Sequence, residues 1–530
     1  KIYNRKWTIG NILIGSFLFL PIGVLFYNLF NSKGKSFKYL FENLLFDYSL
    51  NTIYLILITC LCSLIFAILP AWFISNYKFK GRKIYDVLLF LPLSIPSYIM
   101  AFTYSEILSF TGPIQTFFKN FSPEIADFLN KDYLQIEVLG IILALALYPY
   151  VYTSSRISFS YIGSNYINLS KTLGLSSIKT FYKVIIPLSK PAIFSGLFLI
   201  ILEVLNEYGA VKYFGVNTYT TGIFRAWFSM GETNTAIQLA CLLLIIVFLI
   251  FVFEKKSNSN KGFYYSSNSK IQKLNIVVKK NLPIIHFSCL IPFLFGFFFP
   301  FIFILNNSFK IISSIEYKEL IVLLVNSLSV SSISSLLIVL FGIIFIFIEK
   351  NSKSKINVLI TQLVSLGYAI PGAVIGLSLI LLFTSLKKSF FPISIIGSIY
   401  ILIYAYIVRF LAVGISPIRS SVEKMPESYN DTGKNLGLGF YNLLKKIHLP
   451  INKLAIISAF IITFVDLLKE LPITLILRPF NFDTLATQTY QFAIEEMLKE
   501  SSIYSLFIIT IGCVMLLIFK AILNKELDVS

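Results

Sequence analysis

Apolar residues form long blocks along this chain, and short polar stretches separate them. A helix needs about 20 apolar residues to cross the hydrocarbon core of a bilayer. Twelve blocks reach that length, near residues 8–29, 51–75, 85–109, 135–157, 190–211 and 234–253, and then near residues 282–306, 321–348, 356–384, 392–416, 452–473 and 503–523. The pattern predicts an all-α membrane protein with about 12 transmembrane helices.

A Ser-, Asn- and Lys-rich stretch, residues 254–281, divides the blocks into two groups of six. It has no apolar face, which is typical of a linker. We therefore predict a first half at 1–253 and a second half at 282–530. Six spans return the chain to the side on which it started, so the halves should be parallel six-helix repeats.

The two halves share a polar segment. NLSKTLGLSSIKTFYKVIIPL, residues 168–188, aligns with DTGKNLGLGFYNLLKKIHLPI, residues 431–451, at an offset of 263. Near the second span, LNTIYL (50–55) resembles VNSLSV (325–330) at a slightly different offset. This self-similarity indicates an internal duplication. The positions that pair at the offset of 263 are Gly174 with Gly437, Pro187 with Pro450, Glu203 with Asp466, Glu207 with Glu470, and Thr221 with Thr484.

Each copy of the polar segment predicts an elbow of two short helices. Gly174 allows a sharp chain reversal, and residues 176–184 alternate polar and apolar positions at helical spacing. Pro187 is then expected to begin the next membrane helix, where its missing N–H costs little. A single elbow would be as consistent with a surface helix that anchors a loop. Two copies on the same side favour a docking surface for a soluble partner.

Composition places most of the chain in lipid. Of its 530 residues 56% are hydrophobic and 13% charged, where a soluble domain has about 25% charged residues. The net charge of +19 would suggest nucleic acid in a soluble protein. Here Lys and Arg concentrate in alternate loops and in the linker, as the positive-inside rule requires for cytoplasmic N- and C-termini. We expect contact with membrane lipid and none with nucleic acid.

Two pairs of acidic residues lie at corresponding places near the ends of the fifth and eleventh spans. Glu203 and Glu207 are four residues apart, as are Asp466 and Glu470, so each pair should share one helix face. Carboxylates in a membrane span usually face the bundle interior or a watery cavity, and they are suitable partners for a hard cation. One interpretation is a translocation path. The other is helix-end ion pairs, with Lys469 and Arg478 as the basic partners.

Resident metal chemistry has little support in the sequence. The five cysteines show no C-x-x-C spacing, and the two histidines, His286 and His448, are far apart. The sequence assigns no metal ligands. The chain also contains no G-x-x-x-x-G-K-[ST] signature for binding nucleotide phosphates. We expect a transport subunit and not an enzyme, with no cofactor in this chain.

The repeated segment resembles the EAA loop of permease subunits of binding-protein-dependent ABC importers. The Glu-Ala-Ala positions hold Asn168-Leu169-Ser170 in the first copy and Asp431-Thr432-Gly433 in the second, while both glycines and both prolines match. The resemblance implies a type I ABC importer permease fold. It also implies that each loop, through Asn168, Gly174, Pro187, Asp431, Gly437 and Pro450, couples to one of two copies of an ABC ATPase that carries ATP and Mg.

The stretches GAVKYFGV, TTGIFRAWF, LKELPITLILRPFNFDTLA and YQFA resemble iron(III) ABC importer permeases with two fused halves. This resemblance implies ferric iron as substrate, a periplasmic ferric-iron-binding protein as partner, and a multi-pass location in the bacterial cytoplasmic (inner) membrane. An ABC permease for thiamine or another small solute remains an alternative, as does a secondary transporter.

Overall fold

The computed structural model describes residues 2–31, 37–162, 166, 169–170, 172–259, 275–276, 282–352, 354–389 and 396–529. Within these ranges the chain is almost entirely helical. Two short strands, Tyr77–Lys78 and Asn275–Ile276, form one parallel pair. The all-α prediction is confirmed.

Most predicted spans correspond to long helices. Nine helices in the described part are long and apolar enough to cross a membrane, and the number rises to twelve if each of three bent pairs counts as one span. The long helices are Ile2–Asn31, Leu45–Asn76, Ile136–Tyr161, Ile186–Asn206, Thr233–Ser259, Leu282–Phe293 continuing through a π-helical turn into Phe299–Ile311, Tyr317–Ser352, Ile399–Lys424 and Leu498–Val529.

Shorter helices complete the two halves. In the first half they are Phe37–Asn43, Arg82–Leu88, Leu91–Ser94, Ser97–Leu108, Pro113–Phe121, Pro123–Leu129, Ser177–Thr180, Phe181–Ile185, Gly209–Tyr213, Tyr219–Phe224 and Arg225–Ser229. In the second half they are Ile312–Ser314, Lys355–Ser365, Leu366–Ala369, Gly372–Ser389, Glu427–Asn435, Phe440–Leu443, Leu444–His448, Leu449–Ile451, Lys453–Leu468, Pro472–Leu477 and Leu485–Ile494.

The predicted third and ninth spans are not single helices. The third bends by 92° and the ninth by 112°. Each break falls at an Ile-Pro step, where Ile95 (ψ 115°) and Ile370 (ψ 126°) are extended. Proline disfavours the helical conformation in the residue before it, which explains both breaks. A hydrophobicity pattern does not register a break of this kind.

The predicted linker remains a prediction. Helix Thr233–Ser259 extends six residues into residues 254–281. Residues 260–274 and 277–281 lie outside the described residues.

The first helix of each half packs on the opposite half. In the helix at the N-terminus, Asn11 Nδ2 donates to Asn357 Oδ1 at 2.9 Å. In the first helix of the second half, Asn307 Nδ2 donates to Glu106 Oε2 at 3.2 Å. Two buried apolar cores result, and each combines helices from both halves. The halves therefore form one interlocked body.

A buried ionic cluster also connects the halves. Asp86 accepts from Arg156 Nη2 at 2.8 Å and from Tyr152 OH at 2.8 Å, and it lies 3.1 Å from Nζ of Lys520 in the last helix. Asp86 is 6% exposed. The second half has a simpler and more exposed ion pair, between Arg419 and Glu349 at 3.1 Å.

Replacing Asp86 with Asn should destabilise the protein strongly, because it leaves the buried Lys520 and the part-buried Arg156 without their counter-charge. Removing one partner of a buried ion pair typically costs about 3–5 kcal/mol. Glu349→Gln is the matched control, for which a partly exposed pair predicts a loss of about 1 kcal/mol or less. Thermal unfolding of the two purified variants in detergent measures the difference. Equal losses of stability would contradict the buried-cluster interpretation.

Candidate functional site

A cavity of about 60 Å³ lies at the junction of the two halves. Three interruptions of helical structure line it: the break of the third span and the ends of helices Ile186–Asn206 and Lys453–Leu468. The break of the ninth span lies behind them and is bonded to the lining residues Asn206 and Arg409. Interrupted membrane helices commonly build substrate sites in transporters. The lining residues are Leu93, Ile95, Pro96, Ser97, Tyr98, Ala146, Leu147, Tyr150, Glu203, Asn206, Glu207, Arg409, Phe410, Asp466, Lys469, Glu470, Leu471 and Pro472.

Glu207 connects the fifth helix to the break of the third span. It stands directly after the last helical residue, with extended backbone (φ −66°, ψ 121°). Its Oε1 accepts from the backbone N–H of Ala210 at 3.0 Å, and its Oε2 accepts from the Ser97 hydroxyl. Oε1 therefore bonds within the first turn of helix Gly209–Tyr213, and Oε2 bonds to Ser97 in the cavity wall.

Glu470 has a matching position in the second half. Its Oε1 accepts from the backbone N–H of Ile473 at 3.1 Å, and its backbone carbonyl accepts from Thr474 at 3.0 Å. Its Oε2 lies 3.9 Å from Nε of Arg409. Glu207 and Glu470 are 8% and 6% exposed.

The prediction that each acidic pair shares one helix face is wrong. The helices end at Asn206 and Leu468, one and two residues before the second carboxylate of each pair. Beyond each end, the second carboxylate accepts a hydrogen bond from the backbone N–H three residues further along, at the start of the next short helix. All four carboxylates nevertheless line the same cavity.

The first carboxylate of each pair has its own partner. Glu203 Oε1 accepts from Tyr368 OH at 2.7 Å. Asp466 lies 2.9 Å from Nζ of Lys469, so this predicted basic partner is present. The other predicted partner, Arg478, instead pairs with Asp483, because the loop after helix Pro472–Leu477 brings the two side chains together.

Sequence reasoning missed Arg409 and Asn206. Arg409 lies inside helix Ile399–Lys424, and its Nη1 donates to Asn206 Oδ1 at 2.7 Å. Asn206 Oδ1 also accepts from the backbone N–H of Gly372 at 2.7 Å, at the start of the helix that follows the ninth-span break. A lone arginine in the tenth apolar block was the available signal.

The cavity carries an excess of formal negative charge. Its four carboxylates outnumber its two basic side chains, Arg409 and Lys469. In the described part of the chain, no three His, Cys, Asp or Glu side chains come close enough together to hold a metal ion. The lining thus combines excess formal negative charge with the lack of a preassembled chelating site among the described residues.

The two predicted elbows have the same backbone. Gly174 and Gly437 each have φ +76°, in the left-handed region that favours glycine. Each reversal is closed by a backbone bond five residues back, from Leu175 N to Ser170 O at 2.9 Å and from Leu438 N to Gly433 O at 3.0 Å. This is the helix-ending Schellman arrangement. Asn168 lies outside the described residues.

Pro187 lies in the first turn of helix Ile186–Asn206, as expected, whereas Pro450 precedes helix Lys453–Leu468 by three residues. In the first copy a π-helical turn, Phe181–Ile185, leads without a break into the helix that contains Pro187, and the wider turn accommodates the missing N–H. In the second copy the chain bends by 76°, at Asn452, just beyond Pro450. Asp431 lies on the exposed surface of helix Glu427–Asn435.

Each elbow exposes large apolar side chains at corresponding positions. Leu173 and Leu436 are 73% and 76% exposed, and Ile178 and Tyr441 are 71% and 65% exposed. Apolar side chains this open at symmetry-related places indicate contact surfaces and not core packing.

One predicted pairing within the repeat has the wrong register. Thr221 was matched with Thr484 at the offset of 263. In the structure the reciprocal helix caps are formed by Thr218 with Thr221 and by Thr484 with Thr487. Thr484 therefore corresponds to Thr218, because the second half carries three extra residues before the cap.

Comparison with known proteins agrees with the duplicated architecture. The family model described as "Binding-protein-dependent transport system inner membrane component" matches twice, at residues 63–255 and 338–529. An Fe(3+)-transport system permease protein of Haemophilus influenzae is 26% identical over 503 residues, which cover 92% of each chain. A sulfate transport system permease protein of Salmonella typhimurium is 28% identical over 155 residues, covering 29% of this chain and 53% of its own. This chain belongs to the family of inner membrane components of binding-protein-dependent transport systems.

Proposed function

We propose that this chain is the membrane-spanning permease of an ATP-driven importer for ferric iron. The observation that carries the proposal is the cavity at the junction of the halves, which four carboxylates line. Similarity along nearly the whole chain to a permease named for Fe(3+) transport supports it. Family membership removes the secondary-transporter alternative.

The charge of the cavity lining favours a cationic substrate over an anionic one. Sulfate is a dianion, and it would meet the net negative charge of Glu203, Glu207, Asp466 and Glu470. Like charges in a site of low dielectric repel strongly. Carboxylate oxygens instead suit a hard cation. The cavity therefore favours iron over the substrate named for the sulfate permeases.

The lining has no ready-made cluster of metal ligands among the described residues. Separate carboxylates, each already bonded to a neighbour, allow a cation to bind briefly and leave.

Partner proteins supply the other parts of the importer. A periplasmic binding protein delivers the ferric ion, and two copies of an ATPase subunit dock on the elbows, 168–188 and 431–451. ATP and Mg bind to those subunits. In this arrangement the membrane is the bacterial cytoplasmic membrane, and the elbows and both termini face the cytoplasm.

The elbows reach the cavity through single helices. Helix Ile186–Asn206 begins at the first elbow and ends beside Glu207. Its 21 residues span about 30 Å at 1.5 Å per residue. In the second half the chain bends by 76° after the elbow, and helix Lys453–Leu468 then leads to Glu470. Closure of the ATPase pair would thus move both carboxylates through stiff rods, which is a direct route to alternating access.

The acidic path predicts that Glu207→Gln combined with Glu470→Gln lowers iron uptake by at least about tenfold, because neutral amides bind a multivalent cation more weakly. The measurement is uptake of radiolabelled ferric iron by cells that lack the gene and carry each variant on a plasmid. Glu106→Gln is the control, since Glu106 bonds to Asn307 away from the cavity. The double variant should still co-purify with the ATPase.

Labelled thiamine run in parallel tests the substrate. We expect the wild-type plasmid to restore iron uptake and leave thiamine uptake unchanged. Restored thiamine uptake without iron uptake would overturn the substrate proposal. Iron uptake by the double variant at the wild-type rate would remove the acidic path.

Gly174→Val or Gly437→Val should weaken docking of the ATPase. A Cβ at either glycine meets nothing within 4 Å, so the effect comes from backbone strain of about 1–2 kcal/mol in a left-handed conformation. Asparagine tolerates this conformation, and Gly174→Asn should dock normally. Gly397→Val is the control, because Gly397 (φ +81°) is equally open but lies outside the elbows. The amount of ATPase that co-purifies measures docking, and equal amounts in all four variants would contradict the elbow assignment.

A further inference from the structure

Arg409 is held on one side only. Its Nη1 donates to Asn206 Oδ1 at 2.7 Å and to the carbonyl of Ile370 at 3.2 Å. Its Nε has no hydrogen-bond partner among the described residues, and Oε2 of Glu470 lies 3.9 Å away. The guanidinium is 3% exposed. It therefore compensates the carboxylate electrostatically without being fastened to it.

A buried guanidinium in this position is costly unless it serves as a counter-charge. Isolated buried charges lose several kcal/mol of hydration free energy, and attraction to a nearby opposite charge offsets that loss. The carboxylate of Glu470 already has the backbone N–H of Ile473 as a partner. A second cation in the cavity can therefore take the place of Arg409 beside Glu470, since no hydrogen bond between Arg409 and Glu470 has to be broken.

The repeat places no equivalent charge in the first half. The residue 263 positions earlier is Ala146, which also lines the cavity. On that side the Ser97 hydroxyl, and not a cation, meets Glu207. A purely structural requirement of the fold would apply to both halves. The guanidinium is instead required by the cavity, to which both halves contribute.

We propose that Arg409 is a built-in counter-cation of the cavity, which the transported cation displaces on entry. The inference rests on the proposed function, and it specifies the cargo as a compact, hard, multivalent cation. When displaced, Arg409 releases Asn206 and Ile370. The end of the helix that carries the first elbow then keeps only the bond from Gly372 N–H to Asn206 Oδ1 to the break of the ninth span, so the connection between them is weaker. Occupancy of the cavity is thereby linked to the elbow.

Terbium binding to the purified permease in detergent tests whether Arg409 competes with a cation in the cavity. Tb³⁺ is a hard trivalent cation, and its luminescence is excited through nearby tyrosines, here Tyr98 and Tyr150 in the cavity wall. The signal that E207Q/E470Q removes defines binding in the cavity. R409M and R409Q should tighten that binding by at least about tenfold, because a competing positive charge is gone. R409K keeps the charge and should bind like wild type.

The possible results of this experiment distinguish failure of the counter-cation role of Arg409 from failure of the proposed iron transport. An arginine that only holds the fold together predicts weaker binding once it is removed. Unchanged or weaker binding in R409M and R409Q, with both variants monodisperse, overturns the counter-cation role while the acidic cavity stands. R409Q retains an amide for Asn206 and serves if R409M fails to fold. A wild-type signal that E207Q/E470Q leaves intact overturns both the inference and the acidic path.

Discussion

Helix breaks inside a membrane protein require their freed polar groups to be satisfied internally, because lipid offers no hydrogen-bond partners. Here that constraint selects the residues around the cavity. Glu207 bonds to the N–H of Ala210, Glu470 to that of Ile473, and Asn206 to that of Gly372. Two of these side chains, Glu207 and Glu470, also contribute to the charge of the cavity. Structure and function therefore depend on one set of bonds.

Duplication explains the arrangement of helices that the two halves share, and differences between the halves explain why the polar groups around the cavity are not symmetric. Both halves supply an elbow, a stiff helix and a carboxylate in corresponding places. The same symmetry fails beside the cavity. Ser97 and Gly372 each follow the Ile-Pro step of a broken span, and Arg409 stands 263 positions after Ala146. At Gly372 a side chain would collide with Glu470 Oε1, 2.9 Å from the position of a Cβ. Two nearly equal halves thus enclose an unequal site.

Sequence patterns predicted the parts of the structure that depend on hydrophobicity and repetition. The twelve apolar blocks, the parallel halves and the two elbow glycines follow from composition and spacing. The breaks at Ile95 and Ile370 did not, because a proline inside an apolar block is compatible with either a bent or a straight span. Arg409 was missed because its partner, Asn206, is distant in sequence. The register of Thr218 needed the structure, since three inserted residues shift the pairing locally.

The central claim is that transported iron passes through the cavity at the junction of the two halves. Ser97→Cys, in a chain whose native cysteines are replaced, places a thiol beside Glu207. We predict that a small thiol reagent abolishes uptake of radiolabelled ferric iron by this variant. It should not affect Ser105→Cys, on the same helix but outside the cavity lining. Full iron uptake by Ser97→Cys after complete labelling would show that the ion takes another route.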